Sequence, residues 1–244
     1  MNNLKKILVV CLLLITATQL TARGLMIAAG AGYKRPVTEV VAAFEKSSGI
    51  KVDAVFGNIQ MVASQAKQTG EISCIIGDKK FLGNIEPTVS FSGYTTIGKG
   101  IMVLAFRKGI ELSSPADLLT EKIHSVFMPR EGKAIYGIAG MEAIKSYGYS
   151  ENLSGKLTQV ATVPQVVSYL LTGEADAGFI NLTEALANKN KLGGYLLIPD
   201  DKYKEITIVA GTVKGFQDNP DLKKFSDFLG SDEAQAVFQK YGLK

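Results

Sequence analysis

The chain has 244 residues, 46% hydrophobic and 20% charged, enough apolar surface for a large core and too little charge for a disordered polyelectrolyte. Lys and Arg number 27 against 23 Asp and Glu, and the basic residues are scattered, which argues against a nucleic-acid partner. One histidine (His124) and two cysteines (Cys11 and Cys74) are too few for a Cys/His zinc site.

Residues 1–22 carry Lys5 and Lys6, then the apolar run Ile7–Ala17, then the small residue Ala22 at a cleavage point, the pattern of a secretory signal peptide. The run is about half of the ~20 residues that a bilayer-crossing helix needs. Cys11 follows Val10 inside the run, unlike the modified cysteine of a lipoprotein. Cleavage leaves Cys74 alone, so no intramolecular disulfide is expected, and its setting in Ile72–Ile76 reads as a buried small hydrophobe. An exported, extracytoplasmic protein follows.

In the mature chain, Leu25–Ala29 predicts a strand and Gly30-Ala31-Gly32 a turn. Pro36 opens a helix with Val37, Val40, Val41 and Phe44 at helical spacing, closed by Gly49. A strand over Lys51–Phe56, a helix from Met61 to Thr69 and a strand over Cys74–Ile76 follow. Gly100–Phe106 reads as one long apolar strand, and Ser114–Asp117 begins a short helix. A second alternating set predicts strand Ser125–Met128, helix Ile138–Tyr147, strand Leu157–Val160, helix Pro164–Thr172 and strand Ala177–Ile180. Glu205–Gly211 is a returning strand, and two capped helices begin at Asn219-Pro220 and Ser231-Asp232. This alternation predicts an α/β fold of two lobes, each a mostly parallel sheet flanked by helices. The order assigns 23–106 and 205–244 to the first lobe and 107–204 to the second, with a ligand in the cleft between them.

Several motifs fail on inspection. Gly93–Gly100 approaches a phosphate-binding loop, but Gly100 replaces the magnesium-binding hydroxyl residue and a strand follows where a helix is required. Gly30-Ala31-Gly32 with Asp53 echoes a dinucleotide fingerprint, yet Arg35 occupies the third glycine position. His124 has no assignable Ser/Asp pair, Glu131 and Glu142 are two acids among 23, and the Asn152 and Asn181 glycosylation triplets are short enough to arise by chance. An exported enzyme using the cleft is the weaker alternative, because no nucleophile–base pair can be assigned. What remains is four strand-to-helix junctions, Gly30–Tyr33, Gly57–Gln60, Ala134–Ile138 and Thr162–Pro164, whose free N–H groups could hold an anion if they converge.

Those junctions carry a family resemblance. The run from Leu25 to Gly57, with Ala43-Phe44-Glu45-Lys46 before Gly49-Ile50-Lys51-Val52, resembles the start of the mature periplasmic molybdate- and tungstate-binding proteins. Gly173–Ala185 (GEADAGFINLTEA) is similar to their late signature, and Phe225–Lys244 to their last helix. The resemblance implies a type II periplasmic binding protein: no enzyme, no cofactor, a monomer that delivers a tetrahedral oxyanion to an inner-membrane ATP-driven permease. Molybdate or tungstate is the first expectation; sulfate, phosphate or another small ligand is the alternative. Carried over by position, the contacts fall on Ala31, Gly32, Tyr33, Asn58, Ile59, Tyr136, Val163 and Asn181. Gly32, Asn58 and Asn181 stand where many family members have two serines and a tyrosine. The expectation is that N–H groups of Gly32, Asn58 and Val163, with the amides of Asn58 and Asn181, replace those hydroxyls.

Overall fold

The computed structural model describes residues 24–244, so the signal-peptide reading of residues 1–22 lies outside the described residues. The described residues build two five-stranded sheets. The first contains β1 (Leu25–Gly30), β2 (Val52–Gly57), β3 (Ile72–Asp78), β4 (Phe91–Gly100) and β10 (Ile206–Val213), in the order β2-β1-β3-β10-β4. The second contains β5 (Met102–Phe106), β6 (Val126–Pro129), β7 (Leu157–Val160), β8 (Ala177–Asn181) and β9 (Gly194–Leu197), in the order β7-β6-β8-β5-β9.

The two sheets share one plan. Three strands run parallel (β2, β1, β3 and β7, β6, β8), and two further strands pair antiparallel at one side. Each lobe is thus an α/β sheet flanked by helices, mixed in direction rather than uniformly parallel. Every residue of β3 is buried, the pattern of a strand covered on both faces. Helix Lys34–Ser48 places Val37, Val40, Val41 and Phe44 against the first sheet, where Phe44 meets the Phe225 ring edge-on at 5.1 Å. Gly49 (φ 72°) and Gly70 (φ 64°) end the first two long helices in the left-handed region that glycine enters freely.

Three local expectations change. Gly100–Phe106 is not one strand: Gly100 ends β4 in the first sheet, and Met102 begins β5 in the second. Register explains the break, because Gly100 pairs with Ile206 of β10 whereas Met102 pairs with Asn181 of β8, so the chain changes sheets at Ile101. Met102–Phe106, expected to close the first lobe, is therefore a strand of the second sheet. The Gly93–Gly100 run lies wholly within β4, which turns a would-be phosphate loop into ladder. Helices also start earlier than their apolar spacing indicates, at Ile59 and Ile135, where the first turn lies between the core and a cavity.

Candidate functional site

The carboxyl ends of the parallel strands point at one another. Loops and helix starts following β1, β2 and β3 of the first sheet, and β6 and β7 of the second, line a cavity of about 50 Å³. This is where α/β sheets place ligands, since each strand end feeds a helix whose first N–H groups lack an intrahelical acceptor. One water needs ~10–15 Å³ on such a measure, so the cavity has room for a few waters or one small ion.

All four predicted junctions meet here. Gly30, Ala31, Gly32 and Tyr33 come from the first, Gly57, Asn58 and Ile59 from the second, Ala134, Ile135 and Tyr136 from the third, and Thr162 and Val163 from the fourth. The helices Ile59–Thr69, Ile135–Ser146 and Val163–Thr172 thus direct their positive ends to one space. Of the eight predicted contacts, Ala31, Gly32, Tyr33, Asn58, Ile59, Tyr136 and Val163 line the cavity.

Asn181 does not. It is fully buried beside the cavity, its Nδ2 donates to the Gly32 carbonyl at 2.9 Å, and its Oδ1 accepts from Glu184 N–H at 3.1 Å. The amide expected to reach an anion instead ties the second sheet to the turn after β1. Asn58 is divided: Oδ1 accepts from Gln60 N–H at 2.9 Å and caps the helix, a role that leaves its own N–H and Nδ2 uncommitted to the cap.

Two tyrosines join the sheets across the cavity. The hydroxyls of Tyr33 and Tyr136 lie 2.7 Å apart, both side chains buried. Burial, and for Tyr33 also its partner, raises both phenols above the ordinary tyrosine value, so the pair is neutral at physiological pH. Gly100 is required beside them, because a Cβ there would fall 2.4 Å from the Tyr136 hydroxyl oxygen. At the rim, Lys133 Nζ donates to Gln60 Oε1 at 2.8 Å, a second contact between the sheets.

Asp78, Phe81 and Lys133 also line the cavity and were not anticipated. Asp78 was legible in principle, as an acid after the apolar strand Ile72–Gly77 and before Phe81-Leu82. Lys133 carries no periodic signal. His124 and Asp176, by contrast, meet at the far side of the second sheet, where the His124 N–H donates to Asp176 at 2.8 Å.

A family model described as bacterial extracellular solute-binding protein matches residues 25–244. The chain is 25% identical over 227 residues to the molybdate-binding protein ModA of Azotobacter vinelandii, covering 91% of this chain and 90% of the relative. It is 26% identical over 229 residues to ModA of Rhodobacter capsulatus, covering 91% and 88%. Among solved structures it is similar to the Azotobacter vinelandii periplasmic molybdate-binding protein, with a TM-score of 0.81 at 19% identity, covering 90% of this chain and 98% of that one. The same fold is shared with the sulfate-binding protein SubI of Mycobacterium tuberculosis H37Rv (TM-score 0.73, 12% identity, 90% and 86% covered). A periplasmic thiamin binding protein also shares it (TM-score 0.69, 16% identity, 88% and 80% covered).

Proposed function

This chain belongs to the bacterial extracellular solute-binding protein family, and from that premise we propose that it captures a small tetrahedral oxyanion, molybdate or tungstate first, for an ATP-driven importer. One observation carries the reading: strand ends and helix starts from both sheets converge on a single cavity of about 50 Å³. Backbone N–H groups at Ala31–Tyr33, Asn58–Ile59, Ile135–Tyr136 and Val163 are the donors, and they hold charge without a fixed counter-ion. A space for a few waters suits a four-oxygen anion and is too small for a vitamin.

The anion bridges both lobes and favours the closed arrangement by its greater affinity for it. We take the lobe boundaries to lie at about Ile101 and Glu205, a reading supported by the strand order of the two sheets. We read residues 1–22 as the export signal, an inner-membrane permease as the partner, the monomer as the working unit, and binding without turnover as the activity.

Calorimetry with molybdate, tungstate, sulfate and phosphate tests the reading. One anion per chain with molybdate or tungstate tightest is expected; a preference for sulfate or phosphate moves the assignment within the oxyanions, and no binding by any of the four rejects it. Terminal sequencing of the exported product should begin near Arg23.

A further inference from the structure

We propose that anion capture is proton-linked through Asp78, the cavity taking up one anion together with one proton that the Asp78 carboxyl group and the anion share. The inference rests on the oxyanion reading above and adds to it a determinant of which anion, in which protonation state, is accepted.

A carboxylate is an unexpected wall for an anion site. Asp78 ends β3, is 2% exposed, and lines the cavity with its neighbours Gly77 and Phe81. Its Oδ1 accepts from Phe81 N–H at 2.8 Å and its Oδ2 from Thr207 N–H at 3.1 Å, so both oxygens are held in place by backbone from two elements. The Lys80 N–H is a third backbone donor to the carboxylate, which leaves one of its four lone-pair positions open. One proton can occupy that position without disturbing these bonds.

The surrounding charges do not neutralise Asp78. On its own helix, Lys80 is the opposing charge it feels, while Lys79 sits over the Tyr94 ring, 5.8 Å from its centre. From the elements packed across the cavity come the Tyr33 and Tyr136 hydroxyls, both neutral and both sensitive to the Asp78 charge. Lys133 stands at the rim, bonded to Gln60, and the Lys99–Glu205 pair near Thr207 is exposed. Burial raises the Asp78 carboxyl above the ordinary aspartate value, against the lowering effect of the Phe81 and Thr207 N–H groups and of the Lys80 charge and N–H.

A fully ionised dianion entering this cavity meets a like charge and raises that value further. By linkage, the anion then draws a proton from solvent onto Asp78, and its affinity falls as pH rises through the free carboxyl's titration. An anion that brings its own proton donates it to the ionised carboxylate instead. Both routes end with the same one-proton, one-anion site.

Titration calorimetry of the wild-type protein with molybdate and with sulfate, at pH 6 and pH 8, in two buffers of different ionisation enthalpy, reads this directly. Both anions stay fully ionised over that range, so any linked proton belongs to the protein. The expected result is affinity at least about tenfold higher at pH 6 and net uptake approaching one proton per anion. Asp78→Asn should bind at pH 8 at least as tightly as wild type at pH 6, with no linked proton. If that variant does not fold, the wild-type proton count decides alone. Binding with unchanged affinity and no proton exchange overturns the inference and leaves the oxyanion reading standing. No binding of either anion at either pH rejects both.

Discussion

A Cβ built on Gly32 would stand 3.0 Å from Asn181 Nδ2 and 3.5 Å from the Val163 Cβ. Positions 32 and 181 are therefore coupled: the Asn181 amide occupies the space that a side chain at position 32 would need, and donates to the Gly32 carbonyl. Gly32→Ser alone should weaken anion binding about 2- to 12-fold, because the closed arrangement must shift the amide or lose its hydrogen bond, worth roughly 0.5–1.5 kcal/mol. Adding Asn181→Ala should return part of that loss, and a thermodynamic cycle by calorimetry measures the coupling. Strict additivity of the two changes would show the positions to be independent. Asn58 calls for a different pair of variants. Asn58→Ala removes the cap on Gln60 N–H and should cost about 0.5–2 kcal/mol of stability. Asn58→Asp keeps the cap but sets a negative charge on the cavity wall, so its melting temperature should hold while oxyanion affinity drops more than tenfold. Equal affinity in wild type and Asn58→Asp would remove residue 58 from the site.

Among elements, the strand entered by Gly173-Glu174-Ala175-Asp176 shows what such a run is for. Asp176 accepts from the His124 and Ser125 N–H groups at 2.8 and 3.1 Å, and from Arg107 Nε at 2.9 Å. One carboxylate thereby joins the segments leading into β6 and β8 and the end of β5. Burial pushes its carboxyl up, but the His124 N–H, Arg107 and the Ser125 N–H outweigh it and hold the group below the ordinary aspartate value. A depressed value means the stabilisation is full above the unfolded value of about 3.9 and is lost as pH falls through the folded one. Asp176→Asn should therefore cost about 2–3 kcal/mol in urea unfolding at pH 7, and the gap between wild type and variant should narrow as pH falls below about 3.9. A gap that persists undiminished at pH 3 would mean that packing, and not charge, is responsible. The strand and helix order was readable from period and caps because local spacing dictates it. Strands β4 and β9 were missed because half-exposed ladders lack a clean alternation, and β5 was misplaced because sheet membership is decided by partners far along the chain. The four junctions were legible as helix starts. Asn181 was misjudged because a buried amide's partner, the Gly32 carbonyl, is 149 residues away.

At the scale of the whole molecule, the two sheets are held together by contacts that need no ligand. Tyr33 to Tyr136 at 2.7 Å, Asn181 to Gly32 at 2.9 Å and Lys133 to Gln60 at 2.8 Å all cross the cleft, with Arg35 and Glu184 3.6 Å apart behind it. The exposed members, Lys133–Gln60 and half-exposed Arg35, exchange readily with water and contribute little. The tyrosine pair differs because both hydroxyls are buried in this arrangement, and the proposed parting of the lobes would expose them to water. Tyr136→Phe leaves the Tyr33 hydroxyl buried without that partner only in the closed form, a penalty of about 1–3 kcal/mol. Affinity should fall about 5- to 150-fold, since each 1.4 kcal/mol is tenfold in the equilibrium. Tyr33→Phe with Tyr136→Phe removes both polar groups and should recover much of the loss. Calorimetry on the two single variants and the double variant provides the test, with small-angle scattering of the anion-free protein as the second readout. Tyr136→Phe should shift the free protein toward a larger radius of gyration and the double variant should not. If the double variant binds no better than the worse single one, the hydroxyls contact the anion themselves, and the pair is part of the ligand shell and not a latch between lobes.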